Sequence, residues 1–299
     1  MNNPKTNGGT GSLRLQRFEH DAMACTFALH VADSDARHAT GAARAAFDEV
    51  DRLERLLSRF IPHSEIAQLG ALPPGRALRV SPETLECLQI AAEVYTETGG
   101  AFDIAFRSLR ARDDTDVRAA APPLVFDPRA HAVGVTRPGV TLDLGALGKG
   151  YAVDRVVALL REWGIRAALV HSGQSSVYAL GHPPDAPAWR IALRHPDRTD
   201  ESLGTLDLCD GALSGSGQRL HGGHIVDPQT GRPAAQAEAA WAVALTAALS
   251  DAFSTAFMIM SPAAIAALCG RRRDVSAILR PAAAKGQELV CFGPNQPGR

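Results

Sequence analysis

The stretch Leu142-Asp143-Leu144-Gly145-Ala146-Leu147-Gly148-Lys149-Gly150-Tyr151-Ala152-Val153-Asp154 packs two carboxylates, one amine and three glycines into thirteen residues. Glycines let backbone N–H and carbonyl groups approach a ligand closely. The residues that follow predict a helix over Tyr151 to Arg161, whose start favours an anion beside Lys149. This combination points to a phosphate site, although a Gly-rich turn capped by a solvated lysine accounts for the same residues. A Walker A loop is excluded, because it needs four residues between the first Gly and Gly-Lys. Here only two intervene, and Gly150 stands where Ser or Thr belongs. No G-x-G-x-x-G follows a strand to make a dinucleotide fold.

Outward from this segment, the chain alternates between strand and helix signals. Thr26 to Val31 reads as a first strand. Ala43, Phe47, Val50, Leu53 and Leu57 have helical spacing within Ala36 to Phe60. Ser81-Pro82-Glu83 supplies an N-cap, a first-turn proline and an early acid for a helix to about Thr96. A short helix is expected near Ile104 to Ala111, with a surface excursion from Arg112 to Pro138 around strand candidates at Val125 and Val133. Beyond the central helix, strands are expected at 167–171, 177–180, 189–193 and 203–208, then a Ser/Gly turn at 214–217. A core strand over Trp241 to Leu249 leads to helices at 251–260 and 262–269 and to closing strands at 276–279 and 288–292. Hairpin-like strands mixed with helices make an α+β architecture. The boundaries expected are a disordered leader at 1–12, one folded domain over 13–292 and a loose tail at 293–299.

Composition narrows the function. Across 299 residues, 31 Lys and Arg face 32 Asp and Glu, for a net charge of −1. No basic field advertises nucleic acid or an anionic membrane. Five scattered cysteines without a C-x-x-C pair argue against a zinc ribbon and a disulfide framework. The polar leader has no apolar signal region, which gives a cytoplasmic expectation. Trp241 to Met260 is long enough to suggest a span, but Asp251 at its centre would cost about 2.5–3.5 kcal/mol in lipid.

Three further constellations carry chemistry. Asp251 and Thr255 are four apart on a predicted helix with Ser250 as its N-cap, so both oxygens can face one Mg2+ ion, and an ordinary helix start fits them as well. His224, in His224-Ile225-Val226-Asp227-Pro228-Gln229-Thr230-Gly231, suits proton transfer or phosphate contact, or is an exposed loop histidine. Zinc at His221 and His224 lacks its remaining ligands. Thr98-Gly99-Gly100-Ala101-Phe102-Asp103 fits a ligand-contact loop or a helix C-cap with a buried Phe.

Taken in order, LDLGALGKGYAVDRVVALL with GIRAALV, HIVDPQTGRP, SDAFSTAF, TGGAFD and the stretch from Ser58 to Ile66 resemble the ApbE family of FAD:protein FMN transferases over about Met23 to Leu279. The resemblance implies an ApbE-like α+β fold of mixed or antiparallel sheets flanked by helices, with a flavin site between two lobes. It implies Mg2+-dependent transfer of FMN from FAD to a Thr or Ser hydroxyl of an acceptor flavoprotein, with AMP released. By the same resemblance, Asp251, Thr255 and the Ala146 carbonyl hold Mg2+. Met23, Phe60, Ala101, Phe102, Asp103, Asp143, Lys149 and His224 contact FAD, with His224 and Lys149 in catalytic roles. The chain departs from the family pattern at Met23-Ala24-Cys25, at Phe60 where Tyr is common, and at Ser172-Gly173-Gln174 in place of Gly-Gly-Asp or Gly-Gly-Asn. Two other functions use the same residues: an FAD pyrophosphatase yielding FMN and AMP, and a non-catalytic FAD-binding protein.

Overall fold

The computed structural model describes residues 13–106, 123–195, 201–217, 225–282 and 288–298. Its frame is an eight-stranded sheet, β1(Arg14–Ala22), β2(Cys25–Asp33), β6(Ala168–Ser172), β7(Ser176–Leu180), β10(Gly211–Gly217), β11(Ala237–Ala244), β12(Ser276–Pro281) and β13(Val290–Phe292), in that spatial order. Each neighbouring pair is antiparallel. A three-stranded sheet has the order β3(Ala77–Arg79), β5(Ala132–Val135), β4(Leu124–Asp127), and β8(Trp189–Arg194) pairs with β9(Ser202–Leu208) as a separate hairpin. The surface excursion expected around Val125 and Val133 therefore contributes structure: Leu124, Val133 and Val135 are buried.

Alternation along the strands gives the large sheet two apolar faces. Val170, Tyr178, Ala212 and Ala240 join the main core beneath the helices. Val177, Ala179, Leu213, Trp241 and Ile278 form a second core with Trp189, Leu193 and Leu206 of the β8–β9 hairpin. The helices on the first face are α1(Ala36–Leu57), α2(Glu65–Gly70), α3(Pro82–Glu97), α4(Gly148–Glu162), α5(Ala247–Phe257) and α6(Pro262–Arg271). Ser81 caps α3 through the Thr84 N–H, as its sequence predicts.

Nine of the eleven residues of α5 are buried. Such a helix is held by packing on every side, and each fully buried Phe253 or Phe257 side chain contributes about 1.5–3 kcal/mol. No helix among the described residues is long and apolar enough to cross a membrane.

Expectations are corrected at two places. Ser214 to Gly217 continues β10 instead of turning, because Gly215 leaves room for Trp241 across the ladder; a Cβ there would lie 2.8 Å from the indole. The helix carrying Asp251 begins four residues earlier than expected, at Ala247, with Thr246 as its N-cap. Ser250 is buried inside it and donates to the Ala242 carbonyl at 2.7 Å. The helix expected near Ile104 to Ala111 falls largely outside the described residues.

The β1–β2 hairpin turns through Met23 (φ 50°) and Ala24 (φ 58°), both left-handed without being glycine. A residue with a Cβ costs roughly 1–2 kcal/mol in that region, partly offset by the larger unfolded-state entropy of glycine. Ala24→Gly should therefore raise stability by about 0.5–1 kcal/mol in urea unfolding; a loss of stability would show that Ala24 makes contacts outweighing its strain.

Candidate functional site

The first turn of α4 lies against the middle of α5. Gly150 permits this contact: a Cβ there would come within 2.2 Å of the Ala247 carbonyl oxygen and 2.9 Å of the Asp251 Cβ. The Gly150 N–H donates to Asp251 Oδ2 at 3.2 Å. Among the described residues, the Ala146 carbonyl is left without a hydrogen-bond donor, while the neighbouring Leu147 carbonyl accepts from Tyr151 N–H at 2.9 Å. Lys149, in the same turn, donates from Nζ to the Gly145 carbonyl at 2.7 Å.

Asp251 is only 3 % exposed. Burial pushes its carboxyl above the usual range, and Lys149, the Gly150 N–H and the nearby Ser176 side chain pull it back. Keeping a carboxylate there is costly unless something compensates it, which marks a functional candidate. Four residues on, Thr255 Oγ1 lies 3.2 Å from Ser216 Oγ, which also reaches Ser254 Oγ at 2.9 Å. Beneath Asp251, the directly paired Ser172, Ser176 and Ser214 carry buried hydroxyls that close no hydrogen bond of normal geometry. Carboxylate, threonine hydroxyl and open carbonyl are three hard oxygen donors, which suit Mg2+ and leave its remaining positions to water or phosphate. Among the described residues no group of three or more His, Cys, Asp or Glu forms a metal cluster.

Of the other predicted contacts, Phe60 and the Ala101-Phe102-Asp103 loop lie around Asp143. Asp143 Oδ1 accepts from the Gly145 N–H at 2.9 Å, and its Oδ2 lies 3.3 Å from Arg59 Nε. The Arg59 guanidinium stands 3.9 Å from the ring centroid of Phe60, a residue that is 76 % exposed. An exposed ring held by a cation is a ready stacking surface. The Asp143 N–H donates to the Ile104 carbonyl at 2.7 Å, which fixes the Ala101-Phe102-Asp103 loop beside it. Ala101 and Phe102 are buried, and burial raises the Asp103 carboxyl although the Ala105 N–H partly offsets this. Gln229 Nε2 ties the Asp227–Gly231 turn to the Gly99 carbonyl at 2.7 Å.

Met23 sits in the hairpin turn, with its side chain packed on the main core. The Gly173 N–H bonds the Thr26 carbonyl at 2.9 Å. Gly173 has φ 57°, and a Cβ on it would meet Cys25 at 3.2 Å. Gln174 lines a cavity of about 690 Å³ together with His171, Ser176, Ser216 and Trp241, between the large sheet and the β8–β9 hairpin. His224, like His221, lies outside the described residues.

Arg59, Ser176, Ser216 and Gln229 were not identified as site residues from the sequence. Arg59 lies in the quoted Ser58 to Ile66 stretch, and Ser216 in a Ser/Gly run whose strand character was masked by turn-forming composition.

The sequence profile of the ApbE family matches residues 23–279, and the chain belongs to that family. It is similar to an FAD:protein FMN transferase of Klebsiella pneumoniae (strain 342), 25% identical over 287 residues that span 87% of each chain. It is also similar to one of Rhodobacter capsulatus, 30% identical over 217 residues, 64% of this chain and 41% of the relative. The apo flavinyl transferase ApbE of Pseudomonas stutzeri has the same fold, with a TM-score of 0.78, 24% identity and 94% of each chain covered. The ApbE protein of Thermotoga maritima superposes with a TM-score of 0.79 at 21% identity, covering 93% of this chain and 97% of that one.

Two outcomes follow from the packing. Gly150→Ala should destabilise the fold by about 1–3 kcal/mol through overpacking; unchanged urea unfolding would refute the contact. His171 is pushed down to about 4, by burial first and then by His30 and Arg17, so it stays neutral in the fold while the unfolded chain takes up its proton. Its contribution is fully present above the unfolded value of about 6.5 and is lost as pH falls toward 4. His171→Asn should therefore flatten the fall in stability between those limits, which chemical unfolding at several pH values checks.

Proposed function

We propose that this chain is a Mg2+-dependent FAD:protein FMN transferase, which moves FMN from FAD to a Thr or Ser hydroxyl of an acceptor flavoprotein and releases AMP. The observation carrying the reading is the meeting of Lys149 and Gly150 with the buried Asp251 at the α4–α5 contact. Membership of the ApbE family and the names of the Klebsiella and Rhodobacter relatives support it.

In this reading Asp251, Thr255 and the Ala146 carbonyl hold Mg2+, which when bound would offset pyrophosphate charge as a Lewis acid. Lys149 adds a fixed positive charge; one of its three N–H donors rests on Gly145, and two remain for phosphate oxygens. Phe60 offers its exposed face for ring stacking. Met23, Ala101, Phe102, Asp103 and Asp143 complete the FAD contacts. His224 takes the proton of the acceptor hydroxyl as that oxygen bonds to the FMN-side phosphorus. The bond from that phosphorus to the bridging oxygen breaks, and AMP leaves with that oxygen. Such chemistry depends mainly on positioning and charge stabilisation.

The test is to incubate the full chain with FAD and Mg2+, with and without EDTA and a candidate acceptor, and to quantify AMP and acceptor-bound flavin. Expected are EDTA-sensitive AMP release coupled to covalent flavin, and a loss of about 10²-fold or more in Asp251→Ala. AMP release with free FMN alone, in the presence of an acceptor, would favour the pyrophosphatase. Binding without cleavage would favour the flavin holder, and EDTA-insensitive turnover would overturn the metal assignment.

A further inference from the structure

We propose that Asp154 is a positioning residue of this site: it holds the start of α5 against α4 and thereby sets where Asp251 and Thr255 stand relative to Lys149. The proposal rests on the reading of Asp251 and Thr255 as cation ligands.

Asp154 Oδ1 accepts from the Ala247 N–H at 2.7 Å and Oδ2 from the Ala248 N–H at 2.8 Å. These are the first two residues of α5, whose N–H groups have no acceptor within their own helix. The helix already has an ordinary cap, since Thr246 accepts from the Leu249 N–H at 3.3 Å. Asp154 is therefore a second cap, reaching across from the neighbouring helix. When the carboxyl is ionised both of its bonds are charge-assisted, and a carboxylate at a helix N-terminus is favourable.

The register explains why this matters to the site. Gly150 meets Asp251 and Ala247, whereas Asp154, one turn further along α4, meets Ala247 and Ala248. The two helices thus run past each other in opposite senses, and Lys149 at the start of α4 faces the part of α5 that carries the candidate ligands. Gly150 sets how closely the helices approach, and Asp154 sets how far one has slid along the other. A slide by one residue would move Asp251 and Thr255 together by about 1.5 Å, enough to spoil a three-oxygen cation site. Burial pushes the Asp154 carboxyl up to about 7 despite the two N–H groups that favour its ionised form. A neutral cap such as Ser81 on α3 carries no such cost.

The test measures Mn2+ binding to the full chain by electron paramagnetic resonance, alongside thermal unfolding. Asp154→Asn keeps the size but sets an amide NH2 against one of the two N–H groups; its Mn2+ affinity should fall by about tenfold or more, the range seen when groups orienting metal ligands are removed. Thr246→Ala removes the ordinary cap of the same helix; it should lower the unfolding temperature and leave Mn2+ affinity unchanged. If Asp154→Asn fails to fold, Asp154→Glu keeps the charge on an arm one methylene longer and should also weaken Mn2+ binding. Parental Mn2+ affinity in the folded Asp154 variant, or equal losses in Asp154→Asn and Thr246→Ala, would overturn the proposal. Asp251→Ala separates the two levels: if it binds Mn2+ like the unaltered chain, the cation reading itself fails and the proposal falls with it.

Discussion

The close approach of α4 to α5 at Gly150 is the constraint on which the rest of the site depends. Any side chain at that position would collide with the Ala247 carbonyl, so the absence of one atom group decides whether Lys149 and Asp251 can share a site. The eight-stranded sheet and the main core serve this contact by pressing both helices onto one face. The β8–β9 hairpin covers the opposite face, away from it. Interiors packed at crystal-like density transmit small displacements, which is why positions outside the site can tune it.

The second feature is an imbalance of polar groups. A carboxylate is buried with one long backbone hydrogen bond, beside a lysine and above three serine hydroxyls that close no hydrogen bond of normal geometry among the described residues. Buried polar groups are normally satisfied, so their concentration under α5 is unfavourable for the isolated fold. It becomes intelligible if a bound cation and a phosphorylated ligand supply the missing charge and acceptors. The two helices then gain stability on binding, because a ligand that binds only the folded state favours it by mass action.

Local chemistry was legible from the sequence, and long-range placement was not. Ser81-Pro82-Glu83 announced a helix start because capping uses atoms within a few residues. Ser250 has a capping residue type, and the apolar Ala247-Ala248-Leu249 before it reads as the end of a strand; in the fold Ser250 is buried inside the helix and Thr246 is the cap, a choice set by tertiary packing. Ser214 to Gly217 looked like a turn because Ser and Gly dominate turns, yet the need to accommodate Trp241 makes them a strand. Asp251 and Thr255 still share one helix despite its shifted start, because their four-residue spacing depends only on helix geometry. Arg59 beside Asp143, and Asp154 beneath α5, depend on contacts across 84 and 93 residues of chain, which no local pattern encodes.

The central claim is that the α4–α5 contact builds one site for a cation and the pyrophosphate of FAD. A crystal structure of the full chain with FAD and Mn2+ tests it most directly, using the anomalous signal of manganese to locate the ion. The account predicts the ion within coordination distance of Asp251 and Thr255, with the pyrophosphate between it and Lys149. Manganese bound elsewhere, or a pyrophosphate remote from Lys149, would contradict it.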